Sequence, residues 1–119
     1  MSFSLTIRTA EELAAEQALA LVAQASLLIQ AHIDATAQER GYFDALACVS
    51  YRGDAEEPVW AAEAEAFHRW RTRVWRIAHA LLAEVETGAA SPPADEAELF
   101  SRLNLPPMIW PSGEEALRL

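Results

Sequence analysis

The segment FHRWRTRVWRIAH, residues 67–79, decides how the whole chain is interpreted, because it holds four arginines among two tryptophans and two histidines. Cations interleaved with aromatic rings are typical of grooves that bind single-stranded nucleic acid. On a helical wheel, by contrast, Arg69, Arg73 and Arg76 lie together and opposite the apolar residues. We therefore predict a core helix with a solvated arginine face. The apolar face predicted for this helix comprises Trp60, Phe67, Trp70, Val74, Ile77, Leu81 and Val85.

A first long helix is predicted over residues 10–40. Thr9 followed by Glu12 three residues later is a capping-box pattern, in which each side chain bonds the backbone N–H of the other residue. Apolar residues then recur at spacings of three and four, which places them on one stripe. Gly41 follows in a position that suits a left-handed C-terminal cap. A helix of about 30 residues would be roughly 45 Å long.

A second long helix is predicted over residues 57–87. Asp54 with Glu57 three residues on repeats the capping pattern, Pro58 suits the first helical turn, and Gly88 ends the helix. Because a short connector joins the two long helices, they are expected to fold back on each other as an antiparallel hairpin.

Shorter elements are predicted around this hairpin. Residues 43–50 are compact and apolar and should form a short helix, and Asp95 with Glu98 begins another over residues 95–103. Residues 104–119 are predicted to be an extended tail, because its prolines lack backbone donors. The apolar residues of this tail lie across the hairpin or dock on a partner, and the sequence leaves both alternatives open.

Residues 1–8 alternate in polarity as a strand does, with Phe3, Leu5 and Ile7 on one side. A lone strand either pairs with another chain or lies as an arm on the helices. The chain has 119 residues, 52% of them hydrophobic, which is enough for one core. We predict a single all-α domain over 1–119, with an antiparallel hairpin of two long helices and one or two short helices. A short N-terminal strand or arm and an extended proline-rich C-terminal segment complete it.

Charge and hydropathy exclude several classes of function. The net charge is -9 and the pI about 4.7, whereas affinity for phosphate backbones comes from lysine and arginine. The longest apolar stretch is interrupted by Gln24 and Gln30 and followed by His32, which makes it too polar for a bilayer span. The chain does not open with a basic segment followed by an apolar run, so no secretory signal is predicted. We expect no nucleic-acid partner, no membrane partner and a location in the cytoplasm.

No catalytic, cofactor-binding or metal-binding residue is predicted. His68 and His79 would stand about 16 Å apart along a helix axis, too far to share a metal ion. His32 lies on the apolar stripe of the first helix, which favours a hydrogen-bonded core histidine. The one cysteine, Cys48, excludes a disulfide framework and is expected to be a buried thiol. Because catalytic motifs are also absent, the chain is not expected to be an enzyme.

Two charged residues of the second long helix lie on or beside its apolar face. Glu63 and Arg71 would be about 12 Å apart along the axis and so need separate partners, because an unpaired buried charge is costly. Arg71 could meet a carboxylate of the first helix, or both residues could face a second subunit. Trp75 lies off the main stripe and adds a second, partly apolar flank, which suggests a homo-oligomer or a complex.

Three segments resemble, in order and spacing, small proteins encoded among the tail genes of tailed bacteriophages and prophages. They are QAHIDATAQERGYFDALACVSY (30–51), WAAEAEAFHRWRTRVWRIAHALLAEVETG (60–88) and SPPADEAELFSRLNLPPMIWP (91–111). The resemblance covers about residues 28 to 111. The patterned residues that it carries over to this chain are Gly41, Tyr42, Cys48, Tyr51, Trp60, Phe67, Trp70, Arg71, Trp75, Trp110 and Pro111.

The resemblance implies a phage tail-region accessory protein, of the kind often taken to be a tail-fibre assembly protein that helps fibres fold or attach. It supplies no catalytic residue. The implied partner is a phage tail-fibre or baseplate protein, met in the cytoplasm of the bacterial host. The alternative is a structural subunit of the tail or baseplate that remains in the virion tail.

Tryptophan and arginine are the commonest anchors of protein interfaces. An exposed Trp110 in the proline-bounded tail is therefore the leading candidate for a partner-binding residue. The residues predicted to bind the partner are Arg71, Trp75, Met108, Ile109 and Trp110.

Overall fold

The computed structural model describes residues 9–112, and these residues form an all-α fold, which confirms the predicted class. The N-terminal strand or arm predicted at residues 1–8 lies outside the described residues, as does the tail beyond residue 112. The helices of the described part are α1 (Ala10–Glu39), α2 (Ala45–Val49), α3 (Pro58–Glu86) and α4 (Glu96–Leu103).

The two long helices run antiparallel. Arg40, at the end of α1, contacts Glu63, near the start of α3, and Leu21 of α1 lines a groove with Val85 at the end of α3. The short helix α2, in the connector between α1 and α3, packs against both long helices. The helix α4, which follows α3 in the chain, also packs against both. The hairpin is therefore covered by two short helices.

The ends of α1 follow the local chemistry of the sequence. The Thr9 hydroxyl accepts from the backbone N–H of Glu12, and the Glu12 carboxylate accepts from the backbone N–H of Thr9, so the capping box is present. At the other end, Gly41 has φ +100°, a conformation that favours glycine because it has no Cβ. The helix consequently stops at Glu39, with Arg40 as its C-terminal cap.

The capping prediction was right for α4 and wrong for α3. Asp95 accepts from the backbone N–H of Glu98 at 2.8 Å, as the pattern predicted. Asp54 instead accepts from the backbone N–H of Glu56, two residues on, and so closes a local turn. The N-cap of α3 is Glu57, whose side chain makes no capping bond, and proline in the first turn supports the helix without one.

The core lies between α1 and α3, and it is broader than one helical stripe. Trp60, predicted to face the core, is 42% exposed, and Ile77 and Leu81 are half-buried, whereas Ala78 and Leu82 are buried. The buried face of α3 is rotated about the helix axis from the predicted face, because α2 and α4 also pack on the hairpin. The buried core residues are Ala25, Ile29, Ile33, Ala37, Ala45, Cys48, Phe67, Trp70, Val74, Ala78, Leu82, Leu99 and Leu103.

The molecule is elongated, with extents of 70 × 29 × 19 Å and a radius of gyration of 19.4 Å. A compact domain of this length would have a radius of gyration of about 13–14 Å. The first turns of α1 cause much of the difference, because residues 10–17 are all exposed. By length and composition α1 could cross a membrane, since its most apolar 18 residues have a mean hydropathy of 1.4 and 17% of them are buried. Core helices of soluble proteins, which are mostly buried, and signal sequences near an N-terminus pass the same test of length and composition, so the expectation of no membrane partner stays a prediction.

Replacing Ile33 with alanine is expected to lower the free energy of unfolding by about 2–5 kcal/mol, because the side chain is fully buried and its loss leaves a cavity. The matched control is Leu27→Ala in the same helix, where the side chain is 74% exposed and the change should stay within about 0.5 kcal/mol. Urea denaturation followed by circular dichroism measures both. Equal losses in the two variants would show that α1 packs through a different face.

Candidate protein-binding surface

The segment after α4 is docked on the hairpin. Asn104 takes a left-handed conformation with φ 45° and turns the chain away from the helix. The Trp70 indole Nε1–H donates to the carbonyl oxygen of Pro106 at 2.8 Å, and Leu105 and Met108 pack against the core. Of the two alternatives left open by the sequence, the structure therefore has the segment lying across the hairpin as far as Trp110.

Trp110 fastens this segment and is not the exposed anchor that the sequence suggested. Its ring stacks on Phe67 at a centroid distance of 5.7 Å and on Tyr42 at 6.2 Å. The Arg40 guanidinium carbon lies 5.6 Å from the centre of the same ring, within the range of a cation–π contact. Trp110 and Met108 are half-buried, and of the predicted tail residues only Ile109, 78% exposed, points to solvent.

A buried carboxylate lies beneath Trp110. Glu63 is 5% exposed and accepts hydrogen bonds from Arg40 Nε and, at 2.7 Å, from the Tyr42 hydroxyl. The sequence marked Glu63 as a charge in need of a partner, but both partners come from the end of α1 and the turn after it. Arg71 differs, because within residues 9–112 it makes no salt bridge, so the first of the two alternatives, a pairing with a carboxylate of the first helix, is absent there.

The buried Glu63 charge acts on two neighbouring acids. Burial and the hydrogen bond to Glu63 raise the pKa of the Tyr42 hydroxyl above its ordinary value. Burial, followed by the same negative charge, raises the pKa of the Cys48 thiol to about 12, and Arg71 partly opposes this shift. Cys48 is fully buried and free, so it is a packing residue, as the sequence indicated, and not a nucleophile.

Next to this polar cluster, apolar side chains are exposed at the α2 end of the hairpin. Phe43 is 84% exposed, Leu46 72% and Trp60 42%. An open groove of about 330 Å³ runs beside them, with Ala47 and Tyr51 in its wall and Glu63 at its inner side. We call Phe43, Leu46, Ala47, Tyr51 and Trp60 the aromatic end surface.

The aromatic end surface is partly preorganised. The rings of Tyr51 and Trp60 meet edge to face at a centroid distance of 5.0 Å, and Tyr42 lies 6.1 Å from Tyr51. Because Tyr42 is held by Glu63 and Trp110, this chain of rings connects the exposed surface to the core. Rigid, exposed aromatic side chains next to a groove are suited to bind apolar side chains of another protein.

Sequence reasoning missed Phe43, Leu46 and Trp60 as site residues. Phe43 and Leu46 lie in the connector, which was expected only to form a short helix, and Trp60 shares the period of the core face of α3. In the structure Trp60 lies in the first turn of α3, where the groove beside α2 stays open. The signal in the sequence was a cluster of large apolar residues on both sides of the Arg52–Gly53 turn. A helix of five residues is too short to bury so many large side chains.

The remaining predicted residues lie elsewhere. Trp75 is half-buried, packs against the core and meets the His79 ring edge-on at 5.5 Å. His32, expected in the core, is exposed, with its ring 5.3 Å from Phe100 and 6.0 Å from Trp70. The histidine lies on the rim of the stripe, where α4 packs without covering it. In the described part of the chain, no three histidine, cysteine or acidic side chains are grouped as metal ligands would be.

No protein-family model, no curated protein and no solved structure matches this chain. The resemblance to phage tail-region proteins therefore stays an expectation from the sequence. The aromatic end surface is the part of the described molecule that combines exposed apolar side chains, a groove and support from the core.

Replacing Tyr42 with phenylalanine is expected to lower the free energy of unfolding by about 1.5–3 kcal/mol, because the hydroxyl donates to a buried, charged acceptor. Tyr51→Phe is the matched control, since the structure gives its hydroxyl no hydrogen bond to the described residues, and it should cost less than about 0.5 kcal/mol. Chemical denaturation of both variants measures the difference. Equal stabilities of the two variants would show that the hydrogen bond from the Tyr42 hydroxyl to Glu63 does not stabilise the fold.

The Cys48 thiol is expected to resist iodoacetamide in the native protein at about pH 8.5, where an ordinary cysteine is half ionised, and to react once urea unfolds the chain. Because its folded pKa is raised, its contribution to stability is complete below about pH 8.5 and is lost as the pH rises towards about 12, by up to about 1.4 kcal/mol per pH unit. Mass spectrometry and denaturation at two pH values check both statements. Rapid native alkylation would contradict the burial.

Proposed function

We propose that this chain is a phage tail-associated accessory protein that acts by protein–protein binding, as an assembly chaperone or adaptor for a tail-fibre or baseplate protein. The resemblance of residues 30–51, 60–88 and 91–111 to phage tail-region proteins supports the biological context. The observation that carries the binding role is the aromatic end surface. The proposal places the protein in the cytoplasm of the bacterial host, where fibres are assembled.

The physical case rests on where the large apolar side chains lie. Isolated exposed apolar residues are common, but Phe43 and Trp60 line one groove, and Leu46 is on the short helix that forms its wall. Aromatic residues dominate binding energy when a partner buries them, and each can cover about 150–250 Å². A stable interface covers about 800 Å² per partner, so the partner must also contact the flanks of the groove.

A chaperone also has to keep an unassembled partner in solution. The chain contributes to this through its net charge of -9, which disfavours aggregation of a complex. The groove beside the aromatic end surface is also lined by Arg40 and Glu63, which pair with each other.

A second candidate function is a permanent subunit of the tail or baseplate, located in the virion tail. The observation that favours it is the exposed first part of α1, where Leu13 is 46% exposed and Leu19 60%. A protein that remains in the particle could cover these residues permanently, either with a neighbouring tail protein or with a second copy of this chain. Its partners would be the same, but the protein would remain in the finished particle.

Co-expression with the neighbouring tail-fibre protein, followed by size-exclusion chromatography with light scattering, tests the proposal. The double variant Phe43→Ser/Trp60→Ser should weaken the complex at least tenfold, because it removes the anchors of the aromatic end surface. The matched control is Leu27→Ser/Ala31→Ser, which removes two exposed apolar side chains from the middle of α1, outside both candidate contact surfaces. Trp110→Ala is a poor probe, because Trp110 also holds the C-terminal segment.

Circular dichroism of both double variants first establishes that they fold. A complex that is lost with Phe43→Ser/Trp60→Ser and kept with the control supports binding through the aromatic end surface. Absence of any complex with the wild-type chain contradicts the proposal. Analysis of purified particles then separates the two functions, since a chaperone is absent from them and a structural subunit is present.

A further inference from the structure

A second surface with a different chemistry lies on the solvent side of α3. Arg69, Arg73 and Arg76 follow each other at spacings of four and three residues, which forms one stripe about 10 Å long. The connector before α3 adds Arg52, whose Nε lies 2.9 Å from the Glu65 carboxylate. We call these four arginines the arginine stripe.

The arginine stripe is unusual in so acidic a molecule. The chain has 18 acidic and 9 basic residues, yet the shallow groove along this stripe contains four of the arginines and one carboxylate. Like charges gathered on one face repel each other, although solvent screens much of the repulsion. A surface that concentrates the minority charge in this way has a positive local field within a negative molecule.

The one carboxylate of the groove is already engaged. Glu65 accepts from Arg52 Nε at 2.9 Å and from Arg69 Nε at 3.3 Å, and these two cations hold its pKa below the ordinary value. Arg73 and Arg76 are exposed, and within residues 9–112 they make no ion pair. Two guanidinium groups, each with a planar fork of donors, are thus left for an external acceptor.

An orphaned polar atom lines the same groove. His68 Nδ1 is buried without a hydrogen-bond partner, and it is the one side-chain nitrogen or oxygen atom in that condition among the described residues. Buried polar atoms are nearly always paired, so this ring nitrogen is an exception among the described residues. The nearby Thr72 hydroxyl donates to the backbone carbonyl oxygen of His68, so it is not a partner for the ring nitrogen Nδ1.

We propose that the arginine stripe, with His68 at its side, is a docking surface for an acidic segment of a partner protein, separate from the aromatic end surface. The argument is charge complementarity: the stripe presents guanidinium groups at the spacing of one helical face, which suits carboxylates repeated at three and four residues. Arginine forks bind carboxylates with two parallel hydrogen bonds. The inference does not rest on the proposed function.

Nucleic acid is the less favoured occupant. A single-stranded nucleic-acid site needs exposed aromatic rings beside the cations, but Trp70 is buried and Trp75 packs against the core. The groove around the stripe contains no tryptophan, tyrosine or phenylalanine.

Fluorescence anisotropy with two labelled helical peptides tests the inference on the full-length chain at low ionic strength. One peptide carries glutamates at spacings of three and four, and the other carries glutamine at the same positions. The glutamate peptide should bind, and the glutamine peptide should bind at least tenfold more weakly. Arg73→Gln/Arg76→Gln should lower the affinity for the glutamate peptide at least tenfold, and no native ion pair is broken in that variant.

Two controls make the result specific. Arg102→Gln removes a positive charge from α4, outside the stripe, and should change the affinity less than twofold. Arg73→Lys/Arg76→Lys keeps the charge but removes the fork, and should give an intermediate affinity. Circular dichroism verifies the fold of each variant. The inference is overturned if the glutamate peptide does not bind, if Arg102→Gln weakens it as much as the double variant, or if single-stranded DNA displaces it at lower concentration.

Discussion

The hydrogen-bonded Glu63 carboxylate is the constraint on which much of the structure depends. A buried charge is tolerated only with partners, and both partners of Glu63 are supplied by residues 40–42, where α1 ends. Gly41, with its positive φ, lets the chain turn so that Arg40 and Tyr42 reach the same carboxylate. The ion pair and the phenol therefore join the end of α1 to the start of α3 and close the hairpin.

This closure also determines what is left exposed. Tyr42, held by Glu63, provides one face for Trp110, and Phe67 provides the other, so the C-terminal segment is drawn onto the hairpin. Trp110 occupies that position, whereas Phe43 and Trp60 stay exposed, and the Trp60 ring contacts Tyr51. The proposed contact surface is a consequence of core packing, and the arginine stripe is its counterpart on the solvent side of α3. The two surfaces differ in chemistry and suit different segments of a partner.

Local patterns predicted the elements well, and non-local packing limited the prediction of their surroundings. Thr9 with Glu12, and Asp95 with Glu98, are capping pairs three residues apart, so the sequence contains all of the interaction. Asp54 with Glu57 has the same pattern and failed, because Asp54 closes a turn instead. The solvated arginine face of α3 followed from helical periodicity alone.

By itself the sequence determined the four helices, the antiparallel hairpin and the acidic character of the chain, because these depend on periodicity, caps and composition within a few residues. Only the tertiary structure decided that Trp110 is packed and Trp60 exposed, and that Glu63 is paired while Arg71 is not. The physical reason is separation along the chain. Glu63 meets Tyr42 across 21 residues and Trp70 meets Pro106 across 36, and no local pattern specifies which of several aromatic residues fills such a contact.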